Sequence, residues 1–337
     1  MTPWPLFKEC MLILDGLWPF IERLIPPTRD PKRTYQRKPE AGRARTSNRI
    51  LVNTILYGLM TQTQWNGIMP DTAGAGYLCY GKTAHKWLMK WARQDFFERL
   101  KDLILKLFKA HCGLNLKWIS IDGTMYKAPL AQESVGRNPT DRGKMGSKRS
   151  LCVNDQGIVL VMIHAGANVH DSKLLKPTLD ALKLLVHDGE EIHICLDAGY
   201  TGFENIVKSY GFIPHIRPRG EEKKLIEFHP NFTPHRWIVE VKHSHINQFR
   251  RMKIRYEKLD VSHLALADLA ASIMTIRTIF RAELGEDSIW HNKMSAKKRL
   301  KRRIRKIDYS KYNMLGLQLV CEAEEHNIIG SSVLKAA

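Results

Sequence analysis

Three carboxylate residues carry the chemistry that this sequence suggests. Asp122 directly follows the apolar run 118–121, and Asp197 directly follows the apolar run 192–196. Polar residues at strand ends form sites in α/β sheets, whereas a carboxylate in the middle of an apolar strand has a large desolvation cost. We therefore predict that both carboxylates leave parallel strands at the same edge of a sheet. For either Asp alone, a turn residue or a helix cap is the alternative.

Glu240 is the best candidate for a third carboxylate. Two divalent ions about 4 Å apart must share carboxylate oxygens, and hard cations such as Mg²⁺ prefer oxygen ligands. Glu240 lies near the start of a helix predicted over 236–256, where an i,i+4 pair with Arg236 is the alternative. Glu257, at the far end, is a rival that we interpret as a solvated salt-bridge residue. With no paired His or Cys beside these acids, Mg²⁺ is the expected ion and Mn²⁺ the expected substitute.

The elements that must position these acids follow from the hydrophobic pattern. From residue 115 the apolar period changes from helical to alternating, which predicts five strands. Asp171 or Ser172 is expected to cap a helix between the third and fourth strands. The order βββαβαβα is that of an RNase H-like sheet, so we predict an α/β fold with a three-layer αβα catalytic domain over 115–283.

The regions on either side of this domain differ from it. Residues 1–110 show helical periodicity throughout, which predicts an all-helical domain with a helix that starts at Ser47 or Asn48. Further helices are predicted at 81–93 and 96–110. Residues 284–337 form a basic C-terminal tail, in which Lys293–Lys306 contains nine Lys or Arg and no acid.

Composition points to nucleic acid as the partner. The formal net charge is +19, and Lys and Arg displace the counterions condensed on DNA. Anionic membrane lipid is the rival partner, but the sequence shows no amphipathic anchor, no basic leader and no long apolar run, so we expect no membrane contact. The six cysteines are scattered without a CxxC pair, which is typical of reduced residues in a cytoplasmic protein.

Basic residues beside the acids and in the N-terminal loop are expected to contact DNA phosphates. A solvated loop is the alternative for each of them. Asp171, next to His170, is interpreted as a helix cap rather than a metal ligand. The expected DNA contacts are Arg43, Arg45, Arg142, Lys144, Lys148, Arg149, Arg217, Arg219, Arg236, Arg250 and Arg251.

Long blocks of the sequence occur in the order found in one known family. The stretches IDGTMYKAP, GRNPTDRGKMGSKRSL, GANVHDSKLL, CLDAGYTG, HIRPRGEE and WIVEVKHSHINQFRRMKIRYEK resemble bacterial insertion-sequence transposases of the DDE class, in the group named after insertion sequence five. The helical N-terminal region resembles the same family. The resemblance implies that Asp122, Asp197 and Glu240 form an acidic triad that binds Mg²⁺.

The resemblance also implies the partners and the reaction. A helix-turn-helix-like N-terminal domain would bind terminal inverted repeats in double-stranded DNA, and the catalytic domain would cut these ends and join them to target DNA. A homodimer or higher oligomer in the bacterial cytoplasm, associated with the nucleoid, is implied as well. Two alternatives remain: a domesticated DNA-binding protein that no longer cuts, and an RNase H-like nuclease without strand transfer.

The sequence departs from the related Tyr-Arg-Glu-Lys signature of the insertion-sequence-four group. Arg236 and Glu240 match that signature, but Thr233 and Asn247 stand where Tyr and Lys occur in it. We therefore expect no catalytic role for Thr233 or Asn247.

Overall fold

The protein divides into two compact units. The computed structural model describes residues 7, 10–11, 14–27, 45–70, 76–187, 189–216 and 237–283. One unit comprises residues 1–113 together with those from 264 onward, and the other comprises Leu114–His263. The boundary between the units at residues 263 and 264 falls inside the helix Asp260–Glu283. The assignment of DNA binding to one region and catalysis to the other stays a prediction, and the tail 284–337 lies outside the described residues.

Helices make up the first unit, as the periodicity predicted. Ser47 caps the second of them, since its side chain accepts a hydrogen bond from the Ile50 amide at 3.3 Å. The apolar stripe of that helix is buried, with Leu51, Ile55 and Leu59 fully inaccessible. The helices are α1 (Trp18–Leu24), α2 (Asn48–Thr61), α3 (Gly81–Ala92) and α4 (Phe96–Cys112).

A mixed sheet forms the centre of the second unit. Its strands are β1 (Trp118–Lys127), β2 (Gly136–Arg137), β3 (Met145–Asn154), β4 (Val159–Gly166), β5 (His193–Leu196) and β6 (Ile213–Ile216). The spatial order is β3, β1, β5, β6, with β4 and β2 on the other edge of β3. β3 runs antiparallel to β1, whereas β5 runs parallel to both β1 and β6. The RNase H-like fold is thereby confirmed, and β2 is the one described strand that the pattern did not predict.

Helices cover both faces of this sheet, which gives the predicted αβα layers. In the second unit they are α5 (Asp171–Lys183), α6 (Glu204–Ser209) and α7 (Trp237–Gln248), followed along the chain by α8 (Arg250–Lys253) and by α9 (Asp260–Glu283), which crosses into the first unit. Neighbouring residues of β3 reach opposite layers: Ser150 bonds to Thr178 of α5 at 2.9 Å, and Arg149 bonds to Asn247 of α7 at 2.7 Å. Side chains alternate along a strand, so α5 and α7 lie on opposite faces.

Two local predictions were wrong. The helix predicted over 236–256 is interrupted at Phe249 and ends at Lys253, because Ile254 is extended and the Arg255 amide donates to the Lys127 carbonyl at 2.8 Å. The cap of α5 is His170, whose Nδ1 accepts from the Ser172 amide at 3.3 Å. Asp171 is the first residue of that helix, not its cap.

Helix α9 was not singled out by the sequence pattern. The segment Asp260–Ala282 is long and apolar enough to cross a membrane. Its most apolar stretch of 18 residues has a mean hydropathy of 1.3, but 78% of that stretch is buried inside the protein. That degree of burial is typical of a core helix. Within the first unit, Lys101 of α4 forms an ion pair with Asp268 of α9 at 2.8 Å.

Candidate active site

The parallel pairing of β1 with β5 places two aspartates side by side. Trp118 lies opposite His193, and Ser120 lies opposite Cys195. Continuing this register by two residues reaches Asp122 on β1 and Asp197 immediately after β5. His243 of α7 contacts Asp122, so the Asp122 carboxylate leaves the sheet on the side of α7. The structure thus brings together the two acids that the sequence selected.

Asp122 lies in the middle of its strand rather than at its end, contrary to the prediction. β1 continues to Lys127 because β3 pairs with it over that whole length. β5 is shorter and ends at Leu196, so the ladder between β1 and β5 stops before Asp122. Its side chain consequently remains 28% exposed, which reduces the desolvation cost of a carboxylate in mid-strand.

Asp197 does act as a local cap. Its Oδ1 accepts a hydrogen bond from the Gly199 amide at 2.8 Å and begins the short turn Ala198–Tyr200. This is the alternative that sequence analysis left open. The bond involves one carboxylate oxygen and fixes the orientation of the side chain at the strand end.

Asp171 approaches the same strand edge from the opposite face. Its Oδ2 lies 3.1 Å from Lys148 Nζ, and its Oδ1 lies so close to Gly123 that a Cβ there would be 2.0 Å away. A side chain at position 123 would therefore require the Asp171 carboxylate to move. From the sequence, Asp171 was expected to be a helix cap rather than a metal ligand. In the structure it is the ion-pair partner of Lys148, a buried lysine of β3.

The pKa of the Tyr200 phenol is affected by the carboxylates at this edge of the sheet. Burial, followed by the charges of Asp171, Asp122 and Asp197, raises the pKa of its phenol. The residue is 2% exposed, and within the described part of the chain its hydroxyl has no hydrogen-bond partner. A phenol under the influence of three carboxylates marks a site of negative potential, rich in oxygen, which fits a hard divalent cation.

Glu240 is exposed on the first turn of α7. Among the described residues, no group of three or more His, Cys, Asp or Glu side chains is arranged to hold a metal ion. Glu240 is therefore not at ligand distance together with both aspartates. It lies one helical turn before His243, whose ring contacts Asp122, so Glu240 lies on the helix that packs on the Asp122 side of the sheet.

A buried chain of polar side chains lies behind Asp122. His243 Nε2 is 3.3 Å from the Asp122 carbonyl oxygen and 3.8 Å from its Oδ2. Arg149, which is 0% exposed, donates from Nε to His243 Nδ1 at 3.3 Å and from Nη2 to Asn247 Oδ1 at 2.7 Å. Burial, and then the charge of Arg149, lowers the pKa of His243 to about 3. Sequence analysis missed this chain, because only the i,i+4 spacing of His243 and Asn247 is visible in the sequence.

Three of the basic residues expected to contact DNA are buried instead. Arg149 is enclosed as described, and Lys148 is 4% exposed and paired with Asp171. Both lie in the centre of β3, because that strand already begins at Met145. The segment that was expected to be an exposed basic loop is therefore part of the sheet. Arg251 forms an ion pair with Glu257 at 2.6 Å, with side chains only 4% and 2% exposed. These observations correct the expected DNA contacts and also the view of Glu257 as a solvated acid.

For the other basic candidates, contact with DNA phosphates stays a prediction. Arg45, Arg142, Lys144 and Arg250 are exposed. The guanidinium of Arg45 lies 4.3 Å from the ring centre of Trp87 on α3. The remaining candidates, Arg43, Arg217, Arg219 and Arg236, lie outside the described residues.

Comparisons with known proteins agree with this architecture. The family model described as "Transposase DDE domain" matches residues 116–274. A protein assigned as the transposase for insertion sequence element IS402 of Burkholderia cepacia is 31% identical over 156 residues, which are 44% of this chain and 72% of that protein. An uncharacterised 16.2 kDa protein of the same insertion element is 30% identical over 128 residues, covering 38% of this chain and 81% of the relative.

Among solved structures, the Mos1 mariner paired-end complex with Mn is similar at 11% identity, covering 74% of this chain and 80% of that chain. Its TM-score is 0.29, which is too low to support any detail of the site. The family therefore follows from the relatives in sequence, and the fold from the strand order itself. This chain belongs to the DDE transposases of bacterial insertion sequences.

Proposed function

We propose that this DDE transposase binds the terminal inverted repeats of its own element and cleaves and joins DNA there with Asp122, Asp197 and Glu240 as catalytic acids. The register that sets Asp122 beside Asp197 carries the proposal, because neither residue would be near the other without parallel pairing of β1 and β5. Glu240, exposed on α7, would supply the third carboxylate.

Mg²⁺ is the proposed cofactor, and Mn²⁺ is its substitute. When bound, divalent ions at such a site lower the pKa of an attacking water and stabilise the leaving 3′-oxygen. Asp122 and Asp197 would hold the metal from one edge of the sheet. The cap bond to the Gly199 amide orients the Asp197 carboxylate for this purpose.

The surroundings of the acids favour direct attack by water or by a 3′-hydroxyl over a covalent protein intermediate. Tyr200 is the tyrosine nearest to the acids in chain position, but it is 2% exposed and its phenol pKa is raised. A buried phenol with a raised pKa is a poor nucleophile. We therefore assign no nucleophile to the protein in either the cleavage or the joining step.

The helical unit is the proposed reader of the element ends. Helices α3 and α4 are joined by only residues 93–95, a connection of helix-turn-helix length. Lys82, Lys86 and Arg93 are exposed at spacings that place them along one side of α3 and its end. Exposed Arg142 and Lys144 in the second unit would contact phosphates. The proposed assembly on DNA is a homodimer or higher oligomer, located in the cytoplasm at the nucleoid.

Incubation with Mg²⁺ and an end-labelled duplex carrying the element's own ends tests this function. Cleavage at the 3′ end followed by joining to a second duplex is the expected result. Specific binding without cleavage would identify a domesticated DNA-binding protein, and hydrolysis without joining would identify a nuclease. A duplex with a scrambled end sequence is the matched control.

A further inference from the structure

We propose that His243 is a positioning residue that orients Asp122 for metal binding. The inference rests on the proposed function, in which Asp122 is a metal ligand. His243 is 6% exposed on α7, and its Nε2 lies 3.3 Å from the Asp122 carbonyl oxygen and 3.8 Å from Asp122 Oδ2. One nitrogen thus faces both the backbone and the carboxylate of the residue that it holds.

The hydrogen-bond pattern determines which nitrogen of His243 carries the proton. A guanidinium has only donors, so the contact from Arg149 Nε at 3.3 Å requires His243 Nδ1 to accept. The proton of the neutral ring is then on Nε2, and that N–H points at Asp122. His243 therefore donates to Asp122, and this direction is imposed by a residue that lies 94 positions away in sequence.

Arg149 is itself held in place. It donates to Asn247 Oδ1 at 2.7 Å and to the Met252 and His243 carbonyls at 3.4 Å, and its guanidinium lies 5.4 Å from the ring centre of Tyr126. These partners are all neutral. The guanidinium charge behind His243 polarises the ring, which strengthens the N–H donor that faces Asp122.

This chain explains why Asp122 can lie in mid-strand and still present its carboxylate in one direction. The ladder between β1 and β5 stops before Asp122, since β5 ends at Leu196. His243 Nε2 donates to the Asp122 carbonyl oxygen at 3.3 Å from the side of α7. Hydrogen-bond partners of this kind around metal ligands typically contribute about 10- to 100-fold to metal affinity or activity.

Three single variants separate positioning from packing. His243→Phe keeps an aromatic ring but removes both nitrogens, whereas His243→Gln retains an acceptor for Arg149 and a donor for Asp122. Thr178→Val is the matched control, because it removes a buried hydroxyl that bonds to Ser150 at 2.9 Å on the opposite face of the sheet from His243. Mn²⁺ binding is measured on the full-length protein by electron paramagnetic resonance of the free ion, and thermal unfolding reports stability.

His243→Phe should raise the Mn²⁺ Kd by about 10-fold and lower kcat without changing KM for DNA, and His243→Gln should recover most of both losses. Thr178→Val should unfold at a lower temperature but bind Mn²⁺ like the wild type. Wild-type Mn²⁺ affinity in His243→Phe would overturn the inference alone. Wild-type affinity in Asp122→Asn would overturn the metal role of Asp122 and the inference with it.

A measurement on the wild-type protein keeps the inference testable if His243→Phe does not fold. In protein labelled with ¹⁵N-histidine, the resonance that disappears in His243→Gln belongs to His243. It should show the neutral Nε2–H tautomer and shift when Mg²⁺ is added. An Nδ1–H tautomer, or no response to Mg²⁺, would overturn the role of His243.

Discussion

Asp122 and Asp197 occupy equivalent positions on two neighbouring parallel strands, although 75 residues separate them in the sequence. The pairing of Trp118 with His193 fixes this equivalence four residues earlier. β5 stops at Leu196 while β1 continues to Lys127, and the Asp122 side chain is 28% exposed at this point of the sheet.

Loss of any one catalytic acid should abolish the reaction. Asp122→Asn, Asp197→Asn and Glu240→Gln each remove a negative charge while keeping the side-chain shape, so cleavage and joining should fall to background. Binding to the element's ends, measured by fluorescence anisotropy, and the unfolding temperature should stay close to the wild type.

Glu190→Gln is the matched control for these variants. Glu190 is exposed and lies before β5, at the opposite end of the strand from Asp197. It should cleave and join like the wild type. Any one of Asp122, Asp197 or Glu240 whose variant retained wild-type cleavage would be removed from the site.

The metal dependence should distinguish ions by their coordination geometry. Mg²⁺ and Mn²⁺ should support cleavage, and Ca²⁺ should support binding to DNA only, because Ca²⁺ accepts longer and less regular oxygen coordination. Cleavage is measured at equal concentrations of each ion. Full cleavage in excess EDTA would contradict a metal-dependent mechanism.

The ion pair of Arg251 with Glu257 should contribute to stability rather than to catalysis. Glu257→Gln leaves a buried guanidinium without its charged partner, so the free energy of unfolding should fall by about 3 kcal/mol. Denaturant titration measures this change. The double variant Arg251→Met with Glu257→Leu removes both charges and should recover most of the loss, whereas a loss equal to the sum of the two single variants would argue against a coupled pair.

Stability should decrease in acid partly because of His164. Burial, followed by the charges of Arg149 and Arg255, lowers the pKa of His164 to about 3 from a reference of 6.5. The unfolded state therefore binds a proton that the folded state does not bind between these two values. The contribution of His164 is complete above pH 6.5 and is lost progressively as the pH falls towards 3, by up to about 1.4 kcal/mol per pH unit.

His164→Gln tests this effect, because glutamine is polar but does not titrate. The free energy of unfolding is measured between about pH 4 and about pH 6.5, a range that lies between the folded and the reference pKa of His164. It should depend less steeply on pH in this variant than in the wild type. Equal slopes in the two proteins would mean that His164 is not a buried neutral histidine.

Electrostatic and sequence-specific DNA binding should be separable. Neutralising the basic residues of Lys293–Lys306 should weaken binding to all duplexes alike. The slope of log affinity against log salt should decrease by about 0.9 for each DNA phosphate that the variant no longer neutralises. Lys176→Ala, on the exposed side of α5, is the control and should leave the slope unchanged.

Two other results would change this picture of the tail. A tail variant that kept the salt slope but no longer preferred inverted-repeat ends would show that the tail reads sequence. A tail variant with neither effect would show that its charges are only solvated.

The sequence alone identified the family and most of the elements, with β2 and α9 as the exceptions. Alternation after residue 115 predicted the strands in their order, the position of Ser47 predicted a helix start, and long blocks predicted a DDE transposase. These features are local, because strand and helix periodicity repeats within a few residues. The selection of Asp122 and Asp197 also depended only on the apolar runs that precede them.

Tertiary structure decided which charged side chains face solvent. Lys148 and Arg149 sit in a segment that looks like an exposed basic loop, yet the pairing of β3 with β1 and β4 places them in the centre of the sheet. Asp171 pairs with Lys148 in one layer, and His243 accepts from Arg149 in the other. The partners lie 23 and 94 residues away along the chain, so no local pattern in the sequence could show that these bases are buried.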